Sequence, residues 1–234
     1  MKVCIVVMAF RRADDLGVAL PNMLKYEKDT PHVVAIDPST DAENIGQIRV
    51  CNLYGVPYVV WPGTIGQPMA FNKLHEITPA DWLYCKHMDS VFTGPTIERL
   101  LEVAEDDVGA VQPPVTNCHC IDFKERDWAN PPPIIPKDHG MVGFDPPPPE
   151  VSRLHCEFLI NRKALLECQV PPDVYHFDEG FTILLRKRGW RMLRVDDCPR
   201  VLHLGGRTFP HDLPNYPGGN FTDRAQALAK MECE

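Results

Sequence analysis

Val3-Cys4-Ile5-Val6-Val7-Met8-Ala9-Phe10 is a continuous apolar run, and Arg11-Arg12-Ala13-Asp14-Asp15 follows it directly. Such a run is typical of a strand that is buried on both faces of a parallel sheet. The acidic pair suits the first turn of a helix, because the helix dipole favours negative charge there. The run is not expected to be a secretory leader, since no plausible cleavage site follows it.

Outward from this strand, strand-like and helix-like segments alternate over residues 1–112. The other predicted strands are His32–Ile36, Tyr58–Trp61, Trp82–Met88 and Gly109–Val111. The predicted helices are Ala13–Tyr26, Ala42–Tyr54, Pro68–Ile77 and Pro95–Glu105. The pattern predicts an α/β fold with a mostly parallel, doubly wound central sheet and helices on both faces. Ligands of such sheets bind outside the carboxyl ends of the strands, so the polar residues after each strand are the functional candidates.

The regular order is interrupted after Pro113. Ten of the 24 prolines lie between Pro113 and Pro149, which predicts a loop-rich insert at residues 113–153. Beyond it the predicted elements are a strand at Leu154–Asn161, helices at Lys163–Cys168 and Phe181–Arg188, and strands at Trp190–Val195 and Arg200–Leu204. Residues 207–234 are expected to form a tail with a short helix. We expect a single domain over residues 1–234, made of a first half (1–112), the insert, a second block (154–206) and the tail.

Composition excludes several classes of protein. Lys plus Arg is 24 against 32 for Asp plus Glu, a formal charge of −8, which argues against a nucleic-acid binder with a basic face. No apolar stretch approaches the roughly 20 residues of a transmembrane helix. Nine cysteines without a repeating spacing favour reduced thiols and a cytoplasmic protein. Neither a glycine-rich dinucleotide fingerprint nor a P-loop is present, which disfavours dehydrogenases and P-loop NTPases.

The motifs of the chain resemble, in order, those of family-two glycosyltransferases of the GT-A fold. Val6–Leu16 is similar to the opening strand and turn of that family, and Val34–Asp41 to its nucleotide-contacting Asp-x-x-Ser-x-Asp turn, one residue shorter. Gly66–Asn72 is similar to its Gly-x-x-x-Ala-Arg-Asn helix start, with Phe71 in place of Arg. Tyr84–Val91 stands where the family has a metal-binding Asp-x-Asp, but lacks the second Asp. The C-terminal block is matched by Phe177–Phe181, Arg188–Trp190 and Val201–Gly206.

This resemblance implies a GT-A glycosyltransferase that moves a sugar from a nucleoside-diphosphate donor to an acceptor hydroxyl. The donor is expected to be a UDP sugar by family frequency, and the transfer to be inverting. The implied donor contacts are Ala9, Phe10, Arg12, Asp37, Asp41, Gly66, Asn72, Lys73, Asp89 and Ser90. Asp37 would accept an N–H of a pyrimidine base, or bind the ribose. The alternatives are that Asp37 and Asp41 only form a turn, and that Arg12 and Lys73 only flank helices.

The resemblance also implies a divalent metal, Mn²⁺ or Mg²⁺, which would neutralise the leaving diphosphate. Asp89 is the expected ligand. Either His87 and Asp89 together replace the incomplete motif, or Asp89 acts with His203. Mn²⁺ accepts imidazole as well as carboxylate ligands. The alternatives are a turn-capping role for Asp89 and a structural role for His203.

An inverting transfer needs a carboxylate as general base, and the sequence offers Asp178 or Glu179, with Asp178 preferred. Both are equally interpretable as acids at the start of a helix. Because the metal motif and the acidic pair are incomplete, a degenerate module that binds nucleotide sugar or glycan without catalysis is the alternative function. A nucleotidylyltransferase is disfavoured by the missing glycine-rich opening loop.

Other features leave questions open. A structural zinc site is a weak alternative because the spacing of its ligand types fits poorly; the residues are Cys118, His119, Cys120, His155 and Cys156. The acceptor remains open among a glycan, a protein, a lipid-linked sugar and a modified base, and the oligomeric state is undetermined. The Pro-rich insert is expected either to build a semi-rigid wall on the acceptor side or to be a mobile surface loop.

Overall fold

The computed structural model describes residues 1–117, 154, 157–174, 177–203 and 231. Its strands are β1 (Val3–Ala9), β2 (His32–Ile36), β3 (Tyr58–Val60), β4 (Trp82–His87), β5 (Ser90–Phe92), β6 (Val108–Gln112), β7 (Val115–Asn117), β8 (Phe158–Asn161), β9 (Arg191–Arg194) and β10 (Val201–His203). Its helices are α1 (Ala13–Glu27), α2 (Asp41–Tyr54), α3 (Gln67–Asn72), α4 (Leu74–Ile77), α5 (Ile97–Leu101), α6 (Arg162–Glu167) and α7 (Phe177–Lys187).

Seven strands form the central sheet in the order β3-β2-β1-β4-β8-β6-β9. The pairs β1–β2, β1–β4, β2–β3 and β6–β9 are parallel, and β8 runs antiparallel to both of its neighbours. The predicted mostly parallel α/β sheet is therefore confirmed. Because β1, β2 and β4 are parallel neighbours, their carboxyl ends meet at one edge of the sheet.

A second, three-stranded sheet has the order β5-β10-β7. Strand β10 pairs antiparallel with β5, and His203 lies opposite Ser90 in the register. A residue near the end of the described chain is thereby brought beside the loop that follows β4. Strands β5 and β7, each of which has three residues, were not predicted from the sequence.

Hydrophobic residues cover both faces of the central sheet. On one face, Leu16, Leu20 and Met23 of α1 pack in a cluster with Ile5 and Val7 of β1. The other face is centred on Phe71, whose ring lies 4.5 to 6.1 Å from the rings of Phe158, Phe177 and Phe181. The continuous apolar run of β1 thus reflects burial on both faces, as the sequence predicted.

Some predicted boundaries were wrong. The single helix predicted at Pro68–Ile77 is two short helices that meet at Lys73. The break is stabilised locally, because His75 Nδ1 lies 2.7 Å from the carbonyl oxygen of Asn72. Helix α7 begins at Phe177 rather than Phe181, so the acidic pair lies in its first turn. The strand predicted from Leu154 begins only at Phe158, and the helix predicted at Pro95–Glu105 shortens to Ile97–Leu101.

Several predictions fall on residues that are not described. These are the bulk of the Pro-rich insert, the helix of the tail and the cysteines and histidines of the alternative zinc site. Within the described ranges, no helix has both the length and the apolar character that crossing a membrane requires.

Candidate functional site

A cleft lies at the carboxyl edge of the central sheet, where β1, β2 and β4 end. Its lining comes from these strands, the loops after them and α3. The lining residues are Met8, Ala9, Phe10, Ala35, Asp37, Gln67, Ala70, His87, Met88 and Asp89. The cleft is therefore where the fold class predicts a ligand site. It brings together four of the predicted donor contacts, Ala9, Phe10, Asp37 and Asp89, with His87.

The chain leaves β1 in an unusual backbone conformation beside this cleft. Arg11 and Arg12 have φ angles of 58° and 44°, in the left-handed region that non-glycine residues rarely adopt. The Gln47 side chain donates to the carbonyl oxygen of Arg11 at 2.6 Å, which helps to hold this turn. Two consecutive residues of this kind cost energy, and such strain concentrates at functional sites.

His87, Asp89 and His203 form a compact group of metal-ligand type, with one ligand atom from each residue within 4.8 Å of the others. His203 Nε2 lies 3.3 Å from Asp89 Oδ1, and His87 Nδ1 lies 3.9 Å from the same oxygen. The Asp89 and His203 side chains are buried, and the His87 side chain is 13% exposed. The register of β10 against β5 is what brings His203 to His87, the last residue of β4, and to Asp89, which lies two positions later in the turn before β5.

Burial favours the metal-binding form of the His87 imidazole. Burial lowers the pKa of His87, and the neighbouring His203 lowers it further, while the charges of Asp89, Glu157 and Asp178 oppose the shift. His87 is therefore neutral near pH 7, and a neutral imidazole is the form that ligates a metal. Two imidazoles and one carboxylate fit Mn²⁺ better than Mg²⁺, which prefers oxygen ligands alone.

Asp37 lies at the end of β2, on the wall of the cleft. Its Oδ1 accepts from the backbone N–H of Ile65 at 2.9 Å, and its Oδ2 accepts from that of Gly66 at 3.0 Å. Gly66 has a φ of 81° and precedes α3, so Asp37 ties the entry of α3 to the end of β2. Burial raises the pKa of Asp37, and the two N–H donors oppose that shift. Each oxygen keeps a second lone pair for a ligand N–H or O–H.

Asp178 and Glu179 lie in the first turn of α7, where both are partly exposed. Asp178 is close enough to His87 for its negative charge to act on the pKa of that imidazole. Phe177, one residue earlier, packs against the His87 ring at a centroid distance of 5.7 Å. The start of α7 therefore lies beside the metal-ligand group.

The remaining predicted donor contacts do not line the cleft. Arg12 forms an ion pair with Asp15, with Nε 2.7 Å from Oδ2. Lys73 forms one with Glu76 at 3.2 Å, and Asp41 is exposed at the start of α2. Asn72 is buried and bonded to the backbone of Val170. Ser90 is also buried, and its hydroxyl bonds Lys86 and the carbonyl oxygen of His87.

Sequence reasoning missed two charged residues beside the metal-ligand group. Lys86 and Glu157 have exposed fractions of 0%. The sequence signal that could have identified them is a charged residue within a predicted apolar strand. Lysine and glutamate are almost never fully buried without a partner, so such a residue is expected to have one. The missed residues of the cleft lining are apolar or amide side chains, for which the sequence carries no distinctive signal.

No protein-family model matches the sequence, and no curated protein matches it significantly. Solved structures do match. The mannosyltransferase PcManGT from Pyrobaculum calidifontis, in complex with GDP-Man and Mn²⁺, is 15% identical with a TM-score of 0.62, over 98% of this chain and 62% of its own. GalNAc-T7 with UDP, GalNAc and Mn²⁺ is 14% identical with a TM-score of 0.67, over 98% of this chain and 48% of its own.

TarS from S. aureus (residues 1–349), in complex with UDP, is 12% identical with a TM-score of 0.61, over 99% of this chain and 65% of its own. This chain thus spans about half to two thirds of the length of these three proteins. At such low identity the likeness concerns the fold. The chain has the GT-A fold, as its motifs led us to expect.

Proposed function

We propose that this protein is a metal-assisted glycosyltransferase that uses a nucleoside-diphosphate sugar. The observation that carries the proposal is the group of His87, Asp89 and His203 at a cleft on the carboxyl edge of a GT-A sheet. The structural neighbours were solved with GDP-Man or UDP, two of them with Mn²⁺, which supports the same ligand classes here.

His87, Asp89 and His203 would hold Mn²⁺. When bound, the ion would supply a Lewis acid that stabilises the negative charge of a leaving diphosphate. Asp89 lines the cleft, so a ligand in the cleft contacts the same residue that anchors the metal-ligand group.

The partly exposed start of α7 lies beside the metal-ligand group, and we assign Asp178 as the base that accepts the proton of the acceptor hydroxyl. The charge of Asp178 acts on the His87 imidazole, which supports the choice of Asp178 as the base.

At the other side of the cleft, Ala9, Phe10 and Asp37 would receive the nucleoside. The free lone pairs of Asp37 suit an N–H of a pyrimidine base or a ribose hydroxyl, and the Phe10 ring offers an apolar surface. We keep a UDP sugar as the proposed donor and inversion as the proposed outcome. The acceptor class is open, and the Pro-rich insert is proposed to line its site.

The proposed compartment is the cytoplasm. Cys4, Cys51, Cys85, Cys168 and Cys198 are free thiols that lie buried. Reduced cysteines of this kind are usual in proteins of a reducing compartment.

A panel of UDP and GDP sugars with Mn²⁺, read by thermal unfolding, tests the proposed donor. At 100 times its Kd a ligand stabilises a protein by about 2.7 kcal/mol, which at this length raises Tm by about 5–10 °C. The rise in Tm should require Mn²⁺ and should be absent in the Asp89→Asn variant. Asn52→Asp is a control on the exposed side of α2 and should respond like the wild type. A panel without any shift would contradict the proposal.

Turnover separates catalysis from binding. The pure protein should release nucleoside diphosphate from the donor that stabilises it, and Asp178→Asn should reduce this release far more than donor affinity. Binding of a donor without any release, with Mn²⁺ present, would favour the non-catalytic module instead.

A further inference from the structure

Lys86 and Glu157 are two wholly buried charged residues, each next to a member of the Cys85–Phe158 pair that joins β4 and β8. Lys86 lies in β4, and Glu157 directly precedes β8. Each of them bonds the turn that carries His87 and Asp89.

Lys86 bonds carbonyl oxygens of the turn. Its Nζ donates to the carbonyl oxygen of Ser90 at 2.7 Å, to Ser90 Oγ at 2.5 Å and to the carbonyl oxygen of His87 at 3.3 Å. An ammonium group has three N–H donors, so these acceptors use its full capacity. Ser90 Oγ in turn donates to the carbonyl oxygen of His87 at 2.8 Å, which closes the turn.

Glu157 bonds a backbone N–H of the same turn. Its Oε1 accepts from the backbone N–H of His87 at 2.7 Å. Its Oε2 is buried and has no hydrogen-bond partner in the described part of the chain. The hydrogen bond that the carboxylate accepts from the backbone is thus to a residue of the metal-ligand group, and the buried Tyr84 side chain also interacts with the carboxylate. Asp89 lies between the two residues, His87 and Ser90, whose backbones are fixed in this way.

We propose that Lys86 and Glu157 are positioning residues that fix the turn His87–Ser90, so that His87 and Asp89 converge with His203 on one metal ion. The inference rests on the metal site of the proposed function. Neither residue is a metal ligand; they act by fixing the backbone from which two ligands project. Partners of this kind are worth 10- to 100-fold in metal affinity in other metal sites.

Mn²⁺ binding, measured by calorimetry and by the electron paramagnetic resonance signal of free Mn²⁺, tests the inference without any substrate. We expect Lys86→Met and Glu157→Ala each to raise the Kd for Mn²⁺ by at least about tenfold. Glu157→Gln keeps an oxygen for the His87 N–H and should recover most of the affinity. Leu159→Ala is the matched control, because Leu159 is also buried, lies in β8 two residues after Glu157, and pairs with Tyr84 rather than with the turn.

The outcomes are distinguishable. If the wild type and Asp89→Ala bind Mn²⁺ equally weakly, both the proposed metal site and the inference are refuted. If the wild type binds Mn²⁺ and Lys86→Met or Glu157→Ala changes the Kd less than tenfold, only the inference is overturned. An equal loss in Leu159→Ala overturns it too, because the effect then follows stability. Should Lys86→Met not fold, as judged by its circular dichroism, the comparison of Glu157→Ala with Glu157→Gln decides.

Discussion

Replacing Asn72 by alanine should destabilise the protein rather than weaken a ligand contact. Asn72 is 5% exposed; its Nδ2 donates to the carbonyl oxygen of Val170 at 2.7 Å, and its Oδ1 accepts from the Val170 N–H at 2.9 Å. Asn72→Ala leaves both backbone groups of Val170 without a partner. A buried group that loses its partner costs about 1–3 kcal/mol, so the two together cost about 2–6 kcal/mol. Water that enters the vacated space offsets part of this, and we expect about 2–4 kcal/mol.

The loss can be measured by urea unfolding followed by circular dichroism, as a shift of the midpoint at an unchanged slope. Asn52→Ala is the matched control, because Asn52 is an exposed asparagine of α2 and its truncation should stay within about 0.5 kcal/mol. Binding of Mn²⁺ and UDP by folded Asn72→Ala should equal that of the wild type. A stability loss below about 1 kcal/mol would refute the structural role. A loss of UDP affinity at unchanged stability would make Asn72 a donor contact, as the motif resemblance implied.

Three further predictions concern stability. Burial raises the pKa of Glu27 above 4.5, with a smaller contribution from Glu98, so the folded state binds the proton more readily and stability falls as pH rises through the raised value. Glu27→Gln keeps the oxygen that accepts from the N–H groups of Thr96 and Ile97, and it should flatten the fall in stability above pH 4.5. Parallel pH profiles of the variant and the wild type would contradict this prediction. Phe71→Ala should cost about 3–5 kcal/mol, whereas Leu53→Ala, at a side chain that is 75% exposed, should change stability little in the same urea assay. Thr40→Ala removes the side-chain cap of α2, at 3.3 Å from the Glu43 N–H, and should lower the unfolding free energy by about 1 kcal/mol; no change would mean that the cap contributes nothing.

The first half of the fold was predictable because its signals are local. The apolar run of β1, the acidic start of α1 and the regular alternation up to residue 112 each follow from the nearest neighbours in the sequence. The break at Lys73 was not predictable, since Leu74–Ile77 continues an acceptable helical sequence. It is accompanied by the bonds of Asn72 to Val170, 98 residues further along the chain.

The candidate site likewise has one part that could be predicted from the sequence and one part that could not. Asp37 and Asp89 follow strands, so their place at the sheet edge could be inferred from the alternation alone. The resemblance of the motifs suggested His203 as a ligand, but its distance of 3.3 Å from Asp89 depends on the pairing of β10 with β5. Arg12, Asp41, Asn72 and Lys73 match the family motifs in sequence, yet none of them is among the residues that line the cleft. A motif match does not determine the direction in which a side chain points.

The sequence by itself determined the class of fold, because hydrophobic periodicity and the order of strands and helices leave few ways to bury both faces of a parallel sheet. It also determined which polar residues follow the strands. The convergence of His87, Asp89 and His203, and the burial of Lys86 and Glu157, depend on pairings between strands that are far apart in the chain. Such pairings are set by the packing of the whole sheet, and no local pattern of residues encodes them.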